Sequence, residues 1–95
     1  MSGGPEVDAR GLRCPLPVVR LAAVARELPA GTEVSVLATD PAARHDVPAW
    51  ARMRGHASTG EELVEPTDGE RWWRLTVLLG GRPGPGTTNA AGSPG

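Results

Sequence analysis

Only one cysteine occurs in the chain, Cys14, in the stretch "RGLRCPLPVV", with Pro15 directly after it and Pro17 two residues further on. A single thiol can act as a nucleophile, cycle through oxidised states, ligate a metal, or simply pack as a small hydrophobe. No C-x-x-C pair is present and one cysteine closes no internal disulfide, so the sulfur is expected to be a reduced thiol. His45 and His56 are the two other candidate metal ligands, but their spacing to Cys14 matches no zinc pattern and a closed site needs four donors. Neither a metal nor a cofactor is therefore expected.

The position of the thiol narrows the choice. Val18, Leu21, Ala22, Ala25 and Leu28 recur at helical spacing, with Arg20, Arg26 and Glu27 off that stripe. This predicts a helix from about Pro15 to Leu28, stopped by Pro29 and Gly31. Prolines are tolerated in a first turn because its N–H groups have no carbonyl partner. Pro15 at the first and Pro17 at the third helical position then make Cys14 the cap residue, at the positive end of the helix dipole. Helix N-termini are among the sites that lower a cysteine pKa from ~8.5 into the ~3.5–7.5 range. Arg13 adds positive charge next to it in sequence.

Around this helix, "EVDAR" alternates as a first strand and "TEVSVLAT" as a second, with Val34, Val36 and Ala38 toward the core. In "DPAARHDVPAW" a turn is expected at Asp40–Arg44. Asp46 then caps a short second helix that keeps Pro48 in its first turn and ends at Gly55. "EELVEP" and "RWWRLTVLL" read as a hairpin about the Asp-Gly of "TDGE". Trp73, Leu75, Val77 and Leu79 share one face of the last strand, and Trp72, Arg74, Thr76 and Leu78 the other. Trp50 and Trp73 are assigned to the core. The order β-α-β-α-β-β predicts an α+β fold: a two-layer sandwich of a mixed four-stranded sheet with both helices on one face.

Ninety-five residues allow one domain. Residues 1–5 read as a flexible N-terminus and residues 6–79 as the folded unit. Residues 80–95, with six glycines, three prolines and nothing apolar beyond alanine, read as a disordered tail. The net charge of −1 gives no reason to expect nucleic acid or a membrane surface. No signal-peptide pattern and no apolar run near the ~18 residues of a membrane span occur, so a cytoplasmic protein is expected.

The stretch "DARGLRCPLPVVRLAAVARELPAGTEVSVLATDPAARHDVPAWARMRGH" resembles the TusA-like (SirA-like) sulfur-carrier family. The resemblance rests on a C-P-x-P motif opening the first helix, a preceding Asp and Gly-Leu, the "LPAGTEVSV" passage, the "ATDP" turn and "DVPAW", all in order. It implies the same β-α-β-α-β-β sandwich and the work of a sulfurtransferase of the carrier type. Cys14 would accept sulfane sulfur as a persulfide from a cysteine desulfurase or rhodanese-type donor and pass it to an acceptor protein. Pro15 and Pro17 would frame the thiol. Family uses include tRNA thiolation, molybdenum-cofactor enzyme maturation and sulfur metabolism. The chain's own features agree: a carrier needs one nucleophilic sulfur and no second thiol nearby to resolve the persulfide.

Two alternatives belong to other classes. Arg52, Arg54, Arg71 and Arg74 with Trp72 could make a surface for single-stranded RNA, although Glu61, Glu62, Glu65 and Glu70 dilute it. A thiol redox sensor would form a sulfenate at Cys14 and need a resolving thiol from elsewhere. The tail reading is tested by deletion: removing residues 82–95 should leave the melting temperature nearly unchanged, and a fall of many degrees would show that the segment packs.

Overall fold

The computed structural model describes residues 4–80. Six elements follow in order: β1 (Glu6–Asp8), α1 (Leu16–Ala25), β2 (Glu33–Ala38), α2 (Ala43–Arg54), β3 (Ala57–Val64) and β4 (Trp72–Leu78). The sheet runs β1-β2-β4-β3. β1 and β2 are parallel, and the two remaining pairs are antiparallel. A parallel pair cannot be joined by a tight turn, and α1 supplies the crossover. The expected α+β sandwich with a mixed four-stranded sheet is therefore the fold observed.

Strand alternation builds one wall of the core. Val34, Val36 and Ala38 on β2 face Trp73, Leu75 and Val77 on β4, and all are buried. Leu21 from α1 and Val47, Trp50 and Ala51 from α2 close the other wall. Both tryptophans assigned to the core lie there. Burying side chains of this size contributes roughly 1.5–3 kcal/mol each.

The opposite sheet face is closed by charge. Arg74 reaches Glu6 on β1 at 2.8 Å and Glu62 on β3 at 2.7 Å, so one guanidinium spans from edge to edge. Arg10 and Arg74 lie over the Trp72 ring, at 5.2 and 5.4 Å from its centroid. Leu37, on this outer face, is only 7 % exposed.

Several boundaries differ from expectation. α1 begins at Leu16, and its last turn tightens to i→i+3 bonds through Glu27 and Leu28. α2 begins at Ala43, not after Asp46, so Pro48 lies inside it. The missing Pro48 N–H costs one helical bond, and the burial of Ala43, Val47, Trp50 and Ala51 outweighs that loss. Asp40 rather than Asp46 starts this helix. Its Oδ1 accepts the Ala42 N–H at 3.0 Å. β3 begins at Ala57, with a register shift between Ser58 and Gly60. The last β3–β4 pair is Val64 with Trp72, so Asp68-Gly69 sits in a longer loop instead of a two-residue turn.

Gly55 ends α2 with φ 78°, and the Gly80 N–H bonds His56 Nδ1 at 2.9 Å beside it. A Cβ on Gly80 would collide with the Gly55 carbonyl. Pro5 accepts the Ser35 N–H at 3.0 Å, so hydrogen bonding to the body reaches one residue beyond 6–79 at each end. The rest of the segment expected to be a disordered tail lies outside the described residues.

The packing makes a direct prediction. Leu21 is fully buried and Val19, two residues away on α1, is 54 % exposed. Leu21→Ala should lower the unfolding free energy in urea by about 2–5 kcal/mol, while Val19→Ala should stay within about 0.5 kcal/mol of the parent. Equal losses would show that α1 packs by another face.

Candidate functional site

Three hydrogen bonds carry the chain from β1 to the thiol. After Asp8, the Ala9 N–H bonds the Leu37 carbonyl at 2.8 Å and prolongs the parallel pairing. Gly11, with φ 85°, turns the chain, and its N–H bonds Thr39 Oγ1 at 2.9 Å. The Cys14 N–H then bonds Asp40 Oδ2 at 2.9 Å. Thr39 and Asp40 directly follow β2, so the thiol lies at the carboxyl ends of the two parallel strands. Loops converge at this end of a parallel sheet and build its sites.

Asp40 is the centre of this arrangement. One carboxylate oxygen holds the Cys14 N–H and the other holds the Ala42 N–H in the turn that opens α2. These two backbone hydrogen bonds, Cys14 first, hold its pKa below the usual carboxylate range. Arg13 is exposed, and its charge acts on Asp40.

Cys14 is not the cap residue. Pro15 occupies that position, Leu16 is the first helical residue and Pro17 the second, and the Cys14–Pro15 peptide is cis. Pro15 is exposed and Pro17 is fully buried, so the second proline anchors the start of the helix in the core. Cys14 is half-buried and packs against the edge of the core.

The thiol pKa moves opposite to expectation. Burial pushes it up to about 11, helped by the negative charges of Asp46 and Asp40. The dipole loses for a local reason. Its effect acts through free N–H groups of the first turn. Of the four donors at the start of the helix, the Leu16 N–H is taken by the Arg13 carbonyl and Pro15 and Pro17 have none to offer, which leaves the Val18 N–H alone. The prolines that set the position of the sulfur also remove donors that would have stabilised its anion.

The family model for sulfurtransferase TusA matches residues 5–78. The chain belongs to the TusA family. It is 45 % identical over 62 residues to the sulfur carrier protein TusA of Pseudomonas syringae, covering 65 % of this chain and 74 % of that protein. It is 43 % identical over 61 residues to the TusA of Pseudomonas savastanoi, covering 64 % and 73 %. The crystal structure of the SirA-like protein from Desulfitobacterium hafniense superposes with a TM-score of 0.63 at 29 % identity, covering 81 % of this chain and 99 % of that one.

In this TusA-family chain the other candidate residues are dispersed. His45 is exposed in the first turn of α2, and His56 lies beyond the far end of that helix. Twelve residues at ~1.5 Å each separate the two ends by roughly 18 Å. Burial, then the Arg54 charge, lowers the His56 pKa, and its Nδ1 serves as an acceptor. Arg52 and Arg54 end α2, whereas Arg74 is neutralised by Glu6 and Glu62 on the outer face. Arg71 faces Glu65 at 3.8 Å. The arginines proposed for RNA therefore form no single patch. A cavity of about 250 Å3 between α2 and β3 is lined by Val47, Pro48, Gly60, Glu61 and Leu75 among others, and Cys14 is not in its lining.

The sequence reading gave Asp40 only a turn role, and so missed it as the residue that holds the thiol loop. The signal was its place just after a β-strand, at the same end of the sheet as the Cys14 loop.

The site predicts a late titration. The chain has no tyrosine, so the ultraviolet thiolate band is free of tyrosinate overlap. That band should appear with a midpoint near pH 11 and be absent from Cys14→Ser. Because the folded protein holds this proton longer than the unfolded chain, the linked stability is whole below about pH 8.5. It is lost as pH rises toward about 11. A midpoint at or below neutral pH would contradict the geometry.

Proposed function

We propose that this protein is a sulfur carrier of the cytoplasm, a sulfurtransferase of the carrier type whose working unit is the domain of residues 6–79. It takes sulfane sulfur as a persulfide on Cys14 from a cysteine desulfurase or rhodanese-type donor and relays it to an acceptor protein. The observation that carries this reading is the placement of the only cysteine. It is half-exposed, on a loop held by Asp40, at the open end of the parallel strands, in a chain of the TusA family. Pro15 and Pro17 frame it, and Arg13 offers an exposed positive charge beside it. Thiolation of tRNA, maturation of molybdenum-cofactor enzymes and sulfur metabolism are the uses that such a relay would serve.

The chemistry is exchange at divalent sulfur. The Cys14 thiolate attacks the terminal sulfur of a donor persulfide; a new sulfur–sulfur bond forms as the donor's own breaks. The donor thiolate leaves with the bonding pair and takes up a proton equivalent to the one shed by Cys14. No electrons enter or leave the pair of proteins. With no second thiol in the chain, the loaded persulfide cannot be resolved internally to a disulfide.

Incubation with a cysteine desulfurase and free cysteine should add the mass of one sulfur atom to the intact protein. A thiol reductant should remove it. Cys14→Ser should not load, while keeping the melting temperature of the parent. If the Ser variant gains the same mass, or complements a deletion strain as well as the parent, the assignment is wrong.

A further inference from the structure

His56 joins the end of α2 to the end of β4, away from the thiol. Gly55 closes the helix with φ 78°, and the His56 N–H returns to the Ala51 carbonyl at 2.8 Å, which fixes the backbone that carries the ring. The ring lies 4.9 Å from that of the buried Trp50, tilted by 50°. Its Nδ1 accepts the Gly80 N–H at 2.9 Å. Gly80 sits so close to Gly55 that a Cβ on it would strike the Gly55 carbonyl, so backbone meets backbone here.

An imidazole nitrogen accepts a hydrogen bond only in the neutral ring, and both nitrogens donate once the ring is protonated. The bond to Gly80 therefore exists in one charge state, and in the other two N–H donors face each other. Protonation is already disfavoured, by burial first and then by the Arg54 charge from the last turn of α2. Arg52 is a second base on that turn. The adjoining strands bring no free acid to this side among the described residues. On β3, Glu61 is taken by Arg44, and on β4, Arg74 is taken by Glu6 and Glu62. Glu33, which pairs with Leu78, lies on the opposite face of the sheet.

The residue before Gly80 is held differently. Leu79 is 4 % exposed. Its N–H bonds the Thr32 carbonyl at 2.9 Å, and its carbonyl takes the Gly31 N–H at 2.9 Å. None of these groups titrates, so Leu79 stays in place whatever the charge on His56.

We propose that His56 is a pH-operated clasp on the C-terminal end of the domain: the neutral ring holds Gly80 against Gly55, and the protonated ring lets it go. At neutral pH the folded unit closes at Gly80, and in mild acid it closes at Leu79. Because the folded protein disfavours the protonated ring, the stability tied to the clasp is whole above about pH 6.5. It declines as pH falls below that value. The inference is independent of the carrier reading, since no sulfur chemistry enters it.

The test follows the amides and histidine rings of the full chain by NMR, in a titration through the histidine range. The Gly80 amide shift should move with the His56 ring, at one midpoint, below the ~6.5 of a free histidine. Exchange of that amide, corrected for its intrinsic rate, should quicken about five- to tenfold as the ring takes its proton, the loss of one hydrogen bond. The Leu79 amide should stay protected. His56→Asn places Oδ1 where Nδ1 stands, an acceptor at every pH, and should hold the Gly80 amide without that titration. His56→Ala should leave the amide in fast exchange throughout, and circular dichroism verifies that both variants keep the fold. A Gly80 amide that ignores the titration of the ring, or keeps its pH dependence in His56→Asn, overturns the clasp. Joint loss of the Gly80 and Leu79 amides overturns it as well, because β4 would then be unfolding rather than releasing its last residue.

Discussion

Asp40 carries two hydrogen bonds that no neutral side chain at its position could reproduce. Both partners are backbone N–H donors, one 26 residues away at Cys14 and one at Ala42. An amide side chain would present an N–H to one of them, whereas a carboxylate accepts at both oxygens. The loop after β1 and the turn after β2 are thereby joined, and the starts of α1 and α2 come together over the carboxyl ends of the parallel strands. The half-exposed setting of the thiol and the first turn of α2 both follow from this junction.

Much of the fold was legible because its signals are local and repeat. Alternation placed Val34, Val36 and Ala38 inside and set Trp73 inward, with Trp72 outward. The helical spacing of Leu21 and its neighbours survived two prolines. What escaped were features decided by groups distant in sequence. Pro48 argued against a helix across Asp46, but tertiary burial of Val47 and Trp50 prevailed over local propensity. The thiol's ionisation was misjudged from the dipole alone. Burial of the sulfur decides it, and two prolines leave the start of the helix with few N–H donors to oppose that. Cys14 could be singled out from "CPLP", while its chemical state depended on contacts that spacing does not reveal.

The outer face of the sheet contrasts with the thiol end. Arg74 neutralises Glu6 and Glu62 at once, and with Arg10 it covers Trp72. Such exposed pairs contribute little individually, typically below about 1 kcal/mol each. Their combined effect is to pair Glu6, Asp8 and Glu62 with arginines and to cover Trp72, which leaves Glu33 as the acid on this face without an ion pair among the described residues. The two faces of one small sheet thus differ in kind, and the asymmetry points partner recognition toward the helices and the Cys14 loop.

β3 is an edge strand, exposed along nearly its whole length, and it shifts register between Ser58 and Gly60. A bulge bends an edge and interrupts the regular ladder of donors and acceptors that another chain would need for pairing. Thr59, at the irregularity, turns its hydroxyl back toward Glu33 and the Thr76 carbonyl. Glu61 and Glu62 follow on the same strand, so two such edges brought together would juxtapose acids. A sulfur carrier meets donor and acceptor proteins, and in solution it also meets copies of itself. The bulged, acidic edge disfavours strand-to-strand pairing between such copies.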